Sequence, residues 1–310
     1  MKEKILITGG AGFIGSHAVD AFIAAGHDVV VVDDLSSGRL VNLNPKAKFY
    51  QMDIRSPEVR QVLFDEKPGV IFHYAAQIDV RKSVADPLLD ADINILGSIR
   101  LAQFAIEMGV RKFVHISSGG AAYGEPVYLP CDENHPIRPL CPYGASKYTF
   151  ELYLYMFKEL YGMDFSVLRL PNVYGPRQDP LGEAGVVAIF TGRMLRREPV
   201  TINGSGEQVR DFVYVGDIAR ANLLVLHNGS GQVYNLGFSM GTSVNQIFQQ
   251  LKEIIHYPLE PLYGPPKAGE TFRIYLNAAK AKQELGWEPE ITLREGLTLT
   301  VDYFRMNELT

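Results

Sequence analysis

The sequence predicts a doubly wound α/β fold, a parallel sheet with helices on both faces, followed by a smaller mixed α/β domain that binds substrate. Three observations point there. Short, continuous apolar runs alternate with helical patterns through the first half of the 310 residues. The first of these runs ends directly in a glycine cluster, Gly9-Gly10-Ala11-Gly12-Phe13-Ile14-Gly15. After Arg169 the texture changes, with Pro171, Gly175, Pro176, Pro180, Gly182 and Gly185 close together.

Taken in order, Lys4–Thr8 reads as a strand and residues 14–25 as a helix. Residues 28–32 are a nearly pure valine strand, and 49–52, 70–73, 112–117 and 165–169 continue the series. Helical patterns at 57–66, 87–108 and 143–161 lie between them. Strands joined by helices need right-handed crossovers, which wind the sheet in two directions. Beyond residue 170 come a helical stretch at 186–196, the turn Gly204-Ser205-Gly206, an apolar strand at 212–215 and helices at 244–256, 278–285 and 293–304. We therefore expect a nucleotide-binding domain over residues 1–170, to which 212–236 returns. A substrate domain is expected over 171–211 and 237–310.

Composition excludes several classes. Hydrophobic residues are 46% and charged residues 21% of the chain, as in globular proteins. The net charge of −5 leaves no global basic surface for nucleic acid. Apolar stretches such as 185–190 are far too short to cross a bilayer, and no secretory signal precedes Ile5–Ile7, so a cytoplasmic location is expected. Cys131 and Cys141 are expected as free thiols, and the seven scattered histidines give no metal-binding spacing.

The glycine cluster is GxxGxxG between a strand and a helix, the context in which such a pattern gains weight. Its glycines allow a tight turn and close approach of backbone to phosphate, while the helix N-terminus offers free N–H groups. This is the signature of a Rossmann-type dinucleotide site. Asp33 closes the second strand, where an acid accepts hydrogen bonds from the adenosine ribose and repels a 2′-phosphate, favouring NAD over NADP. Arg39 is the one nearby basic group that argues otherwise. Asp34, Leu35, Ser36, Ser37 and Gly38 extend the same loop, and Asp53 with Ile54 borders the adenine in one reading and is plain loop in the other.

Tyr143 and Lys147 stand four apart at the start of a helical pattern, hence on one face. A tyrosine serving as base must lose roughly 4 kcal/mol of proton affinity. An ammonium about 5 Å away supplies on the order of 3 kcal/mol at an effective dielectric of about 20. The positive nicotinamide ring of NAD supplies the rest.

With Asn94, Ala75-Ala76-Gln77 and Ser117-Ser118, these residues together resemble the extended short-chain dehydrogenase/reductase superfamily. More narrowly, the chain resembles the UDP-glucose 4-epimerase family and its sugar-nucleotide relatives. Asn172-Val173-Tyr174-Gly175-Pro176, Val209-Arg210-Asp211-Phe212, Glu270 and Leu285-Gly286-Trp287 agree, so the likeness spans the chain. The resemblance implies NAD lying across Gly9, Gly12, Phe13, Ile14, Gly15, Asp33, Asp53, Ile54, Ala75, Ala76, Gln77, Asn94 and Ser117, with Lys147 holding the nicotinamide ribose and tuning Tyr143. It implies a UDP-sugar with Asn172 and Arg210 on the phosphates, Val186 and Val187 near the uracil, and Glu270 on the uridine ribose. Lys267 stands where relatives carry an arginine. Arg81, Ser118, Thr201 and Asn203 complete the substrate set.

One position departs from the family pattern. Gly119 stands where relatives carry the Ser or Thr of the catalytic triad, so Ser118 and Ser117 become the candidate hydroxyls. The following Gly120-Ala121-Ala122 also lacks the acids of the dehydrating and decarboxylating relatives, which favours epimerisation through a transient 4-keto sugar. UDP-glucose and UDP-galactose are the expected pair. UDP-GlcNAc or UDP-glucuronate epimerisation, a dehydratase or reductase, and a non-catalytic NAD-binding regulator are the alternatives. The apolar helical patterns at 87–108 and 143–161 match helices that pair relatives into homodimers.

Overall fold

The computed structural model describes residues 2–180, 185–266 and 271–307. Its centre is a seven-stranded sheet in which every pairing is parallel. Six strands come from the first half: β1 (Lys4–Thr8), β2 (Asp28–Asp33), β3 (Lys48–Gln51), β4 (Val70–His73), β5 (Lys112–Ser118) and β6 (Asp164–Leu170). Across the sheet the order is Gln232–Asn235, β6, β5, β4, β1, β2, β3. The direction of winding reverses between β1 and β4, which opens a crevice at their carboxyl ends. The doubly wound fold expected from the sequence is thus present.

The strands are apolar on both sides because both sides are covered. Ile5 and Ile7 pack with Ala18, Val19 and Phe22 on one face, and Leu6 packs with Val59, Leu63 and Leu101 on the other. A third core gathers Tyr174, Phe190, Ile247, Leu251 and Val301 from the later part of the chain. Small strand pairs frame it. Phe212–Tyr214 lies parallel to Asn172–Tyr174, Val209–Arg210 antiparallel to Thr242–Ser243, and Leu262–Gly264 parallel to Thr201–Asn203. The helix Val215–Val225 packs on the helix Phe13–Ala24, and only Gln232–Asn235 adds a strand to the main sheet.

Two local differences from the sequence reading matter below. The single helix expected over 87–108 is a helix at Pro87–Ala91, a π-helical segment at Asp92–Gly97 and a helix at Ser98–Glu107. The wider turn carries Asn94, whose side chain bonds to a neighbouring loop. A single helical turn at Gly119–Ala122 follows β5, a segment that the sequence reading assigned to no element. Cys131 and Cys141 are free.

Candidate active site

The helix Phe13–Ala24 starts after Gly12 with no capping side chain and no acidic residue in its first turn. Its leading N–H groups therefore face the crevice with their partial positive charge uncompensated. Gly9 holds φ +71°, and a Cβ there would lie 2.6 Å from the Ala75 nitrogen. A Cβ on Gly15 would overlap the Gly9 carbonyl oxygen. These two glycines are required for the turn to close and for β1 to hand over to the helix.

Asp33 organises the next loop. Its Oδ2 accepts from the Ala11 nitrogen at 2.9 Å and its Oδ1 from the Leu35 nitrogen at 2.8 Å. Burial holds its pKa above the ordinary carboxylate value. A Cβ on Gly38 would come 2.8 Å from Asp33 Oδ1, so the chain passes close over the acid. Asp34 closes the turn by accepting from the Ser36 nitrogen and hydroxyl at 2.8 and 2.6 Å, and Ser37 is exposed. Arg39 is engaged by Asp179, with Nη2 to Oδ2 at 3.0 Å. Asp53 is clasped by Arg55 at 2.6 Å, which lowers its pKa, and Ile54 is buried.

Asn94, from the π-helical segment, pins the strand exit after β4. Its Oδ1 accepts from the Gln77 nitrogen at 2.8 Å, and its Nδ2 donates to the Gln77 carbonyl at 2.9 Å. Ala75 and Ala76, both half-buried, lie between this clamp and Gly9. The uncapped helix, the close glycine turn and Asp33 form a cradle that fits NAD.

Tyr143 and Lys147 sit on the helix Pro142–Tyr161. A Cβ on Gly144 would overlap the Ala121 carbonyl oxygen, so this glycine lets the helix press against the Gly119–Ala122 turn. That contact brings Ser118 close to Tyr143, where its hydroxyl favours the ionised phenol. Ser118 also caps the turn, its hydroxyl accepting from the Ala121 nitrogen at 3.3 Å. Burial pushes the Tyr143 phenol up to about 12; the Ser118 bond opposes this, and the Cys141 and Asp90 charges add to it. Lys147 is 4% exposed, and burial pulls its amine down to about 8, against the charges of Glu151 and Asp90. The protein alone thus raises the phenol's pKa, opposite to the sequence-based expectation for Lys147 acting by itself.

The two candidate serines have different surroundings. Ser117 Oγ donates to Glu151 Oε1 at 2.6 Å, and Glu151 is held by Arg169 through contacts of 3.1 and 2.6 Å. Arg169 continues to the Tyr123 hydroxyl at 2.8 Å, which donates to Asn235 Oδ1 at 2.8 Å. Ser117 therefore belongs to a buried ion-pair network beneath the site. A Cβ on Gly119 would lie 2.5 Å from Leu276 Cδ1, so Leu276 takes the space of the missing side chain. Sequence reasoning missed this network and also Asp90, although Asp90 stands four residues before Asn94 and so on its helix face.

The substrate-side residues are less gathered. Asn172 begins the strand Asn172–Tyr174, and the position of a Cβ on Gly120 is 4.0 Å from its Oδ1. Arg210 Nη1 donates to the carbonyls of Val209 at 2.9 Å and Phe272 at 3.4 Å. Its neighbour Asp211 is buried and accepts from the nitrogens of Phe238 at 2.8 Å and Leu276 at 3.1 Å. Val187 is 1% exposed within the third core, and Val186, half-buried like Gly185 before it, packs against that core at a helix start with no capping side chain. Thr201 and Arg81 are exposed and Asn203 half-buried. Lys267 and Glu270 lie outside the described residues.

Residues 5–237 match the model of the NAD dependent epimerase/dehydratase family. The chain is 49% identical to a putative UDP-glucose 4-epimerase of Methanocaldococcus jannaschii over 99% of its own length and all of that protein's. Among solved structures it resembles a UDP-glucose 4-epimerase of Thermotoga maritima with UDP-glucose. That match has a TM-score of 0.97 and 52% identity, over 98% of this chain and 99% of that one. It also resembles the UDP-glucose 4-epimerase of Thermus thermophilus complexed with NAD, with a TM-score of 0.93 and 41% identity, over 98% and 99% of the two chains. On the match of residues 5–237 and these full-length relatives, the chain belongs to the NAD dependent epimerase/dehydratase family.

Proposed function

We propose that the chain is a UDP-hexose 4-epimerase interconverting UDP-glucose and UDP-galactose, with Tyr143 as the residue that moves the 4-hydroxyl proton. The observation that carries this reading is Tyr143 one helical turn from a buried Lys147, on a helix pressed against the Ser118 end of β5. Bound NAD supplies the acceptor and donor for the hydrogen at C4 of the sugar. Gly9, Gly12, Phe13, Ile14, Gly15 and Asp33 hold it, with Asn94 fixing the Gln77 loop alongside. Tyr143 Oη takes the proton from the 4-hydroxyl as C4 is oxidised, and returns it to the same oxygen once hydrogen has been delivered to the other face of C4. Ser118 orients that hydroxyl, worth about 1 kcal/mol net. Lys147, its amine pulled down to about 8 by burial yet still mostly ammonium at neutral pH, stabilises the phenolate once formed. Arg210 and Asn172 anchor the diphosphate so that the 4-keto sugar turns over without leaving. No acid stands at Gly119–Ala122, so water is not eliminated.

The test is incubation with UDP-galactose and detection of UDP-glucose. Parallel runs with UDP-GlcNAc and UDP-glucuronate identify the sugar. No conversion of any of the three overturns the reading, and a stable keto product points to a dehydratase.

The same reading includes a cytoplasmic homodimer. Leu152, Tyr155 and Met156 are 49%, 61% and 41% exposed on one face of Pro142–Tyr161, and Leu88 and Leu96, 82% and 53% exposed, lie on the adjacent helical segments. Exposed apolar side chains grouped on neighbouring helices favour a second copy as the covering partner. Among the described residues no helix is long and apolar enough to cross a membrane.

A further inference from the structure

Next to Tyr143 and Lys147 lies a carboxylate that the steps above do not use. Asp90 belongs to the short helix Pro87–Ala91, which packs against Pro142–Tyr161, and it is 1% exposed. Its Oδ1 accepts from Gln77 Nε2 at 3.0 Å and Asn94 Nδ2 at 3.1 Å. Asn94 Nδ2 also reaches Ser146 Oγ at 3.2 Å, next to Lys147 in the chain. Asp90 Oδ2 is buried and has no hydrogen-bond partner among the described residues. An anionic oxygen in that state is costly unless a cation answers it. The other acid acting on Lys147, Glu151, is already spent on Arg169 and Ser117.

We propose that Asp90 is a positioning residue of the Tyr143–Lys147 centre: fixed through Oδ1 and open at Oδ2, it is the counter-charge that keeps Lys147 an ammonium ion. This rests on Tyr143 and Lys147 being the catalytic pair. The charge of Asp90 raises the pKa of Tyr143, of Lys147 and of Cys141. Arg81 and Lys82, on the packed helix Val80–Ala85, are exposed, and the buried His73 and His115, which feel the charge of Lys147, are held well below the usual imidazole value by burial and so stay neutral, which leaves Lys147 as the buried cation.

Replacing Asp90 by Asn keeps an oxygen for Gln77 and Asn94 and removes the charge. Both the acidic and the alkaline limb of the pH profile of kcat/KM then move to lower pH, each by roughly one unit for a charge several ångströms away at an effective dielectric of about 20. NMR of lysine-labelled protein, with the Lys147 signal assigned by its loss in Lys147→Met, shows the same downward shift of the Lys147 midpoint without reference to turnover. Asp90→Ser, which removes the charge by a different side chain, gives the same two shifts, and Asp90→Glu returns both toward the wild-type positions. A folded Asp90→Asn or Asp90→Ser with reduced rate but unmoved limbs and an unmoved Lys147 midpoint overturns the proposal, as do limbs that move in opposite directions. An active Tyr143→Phe protein instead overturns the catalytic reading on which it rests.

Discussion

At Tyr143 the local field works against ionisation. Burial raises the phenol to about 12 against the pull of the Ser118 hydroxyl, and the charge of Asp90 adds to the rise. A base at neutral pH therefore depends on the positive ring of the cofactor, in keeping with a residue that acts only on the loaded enzyme. Tyr143→Phe is expected to lower kcat by about 10²- to 10⁴-fold, the usual range for losing a general base, with the fold unchanged by circular dichroism. Ser118→Ala should cost only about tenfold in kcat/KM, since one neutral hydrogen bond is lost; an equal or larger loss in Ser117→Ala would reverse the ranking of the two serines. Asp211 carries a different consequence. Burial raises its pKa to about 7, against an unfolded value near 4, so the folded state holds the proton more tightly. Its stabilising contribution is complete below about pH 4 and is lost as pH rises through 7. Thermal melts of Asp211→Asn should show a flatter dependence of Tm on pH across that window than the wild type.

At the scale of elements, two close approaches define the site. Gly144 lets the Pro142–Tyr161 helix meet the Gly119–Ala122 turn, and Gly15 lets the Phe13–Ala24 helix meet β1's exit. Gly144→Ala would force the first pair apart and separate Tyr143 from Ser118. The expected result is a loss of about 1–3 kcal/mol in stability and a fall in kcat larger than that in Ser118→Ala, measured by denaturant titration and steady-state assay. The cofactor half of this arrangement was legible in the sequence, because a strand, three glycines and a helix carry their geometry in residue order. So was the Tyr143–Lys147 face, which follows from helical spacing. The π-helical turn at Asp92–Gly97 was not, since nothing in residue type separates it from the helix around it. Nor was the fate of Ser117, whose partner Glu151 is two turns inside a helix and whose further partner Arg169 ends another strand. Such buried networks form by tertiary contact between distant segments, and spacing along the chain does not record them. The small strands Thr201–Asn203 and Leu262–Gly264 escaped for the same reason, each being too short to show a period.

For the molecule as a whole, the exposed side chains of Pro142–Tyr161 belong to the same helix that carries Tyr143 and Lys147. A dimer formed there would cover the outer face of the element whose inner face carries Tyr143 and Lys147, and would hold it steady against the sheet. Leu152→Glu combined with Tyr155→Glu should convert a dimer to monomer in light scattering and lower Tm, leaving the Tyr143 neighbourhood intact. A wild-type particle of monomer size removes the dimer from the reading.

The last strand of the main sheet reaches it only after the chain has left for the third core and come back. Val233 and Tyr234 lie beside Val167 and Leu168, so this late strand closes the edge of β6. A protein cut after residue 170 would display that border of the sheet, with its unmet amides and carbonyls, to every other copy in solution. Such a fragment should precipitate on expression, and adding residues 212–236 in trans should not rescue it, because the returning strand is delivered by the segments on either side. The enzyme cannot be divided into a nucleotide half and a sugar half by one scission, and any engineered exchange of its sugar-facing portion has to be spliced in at two points.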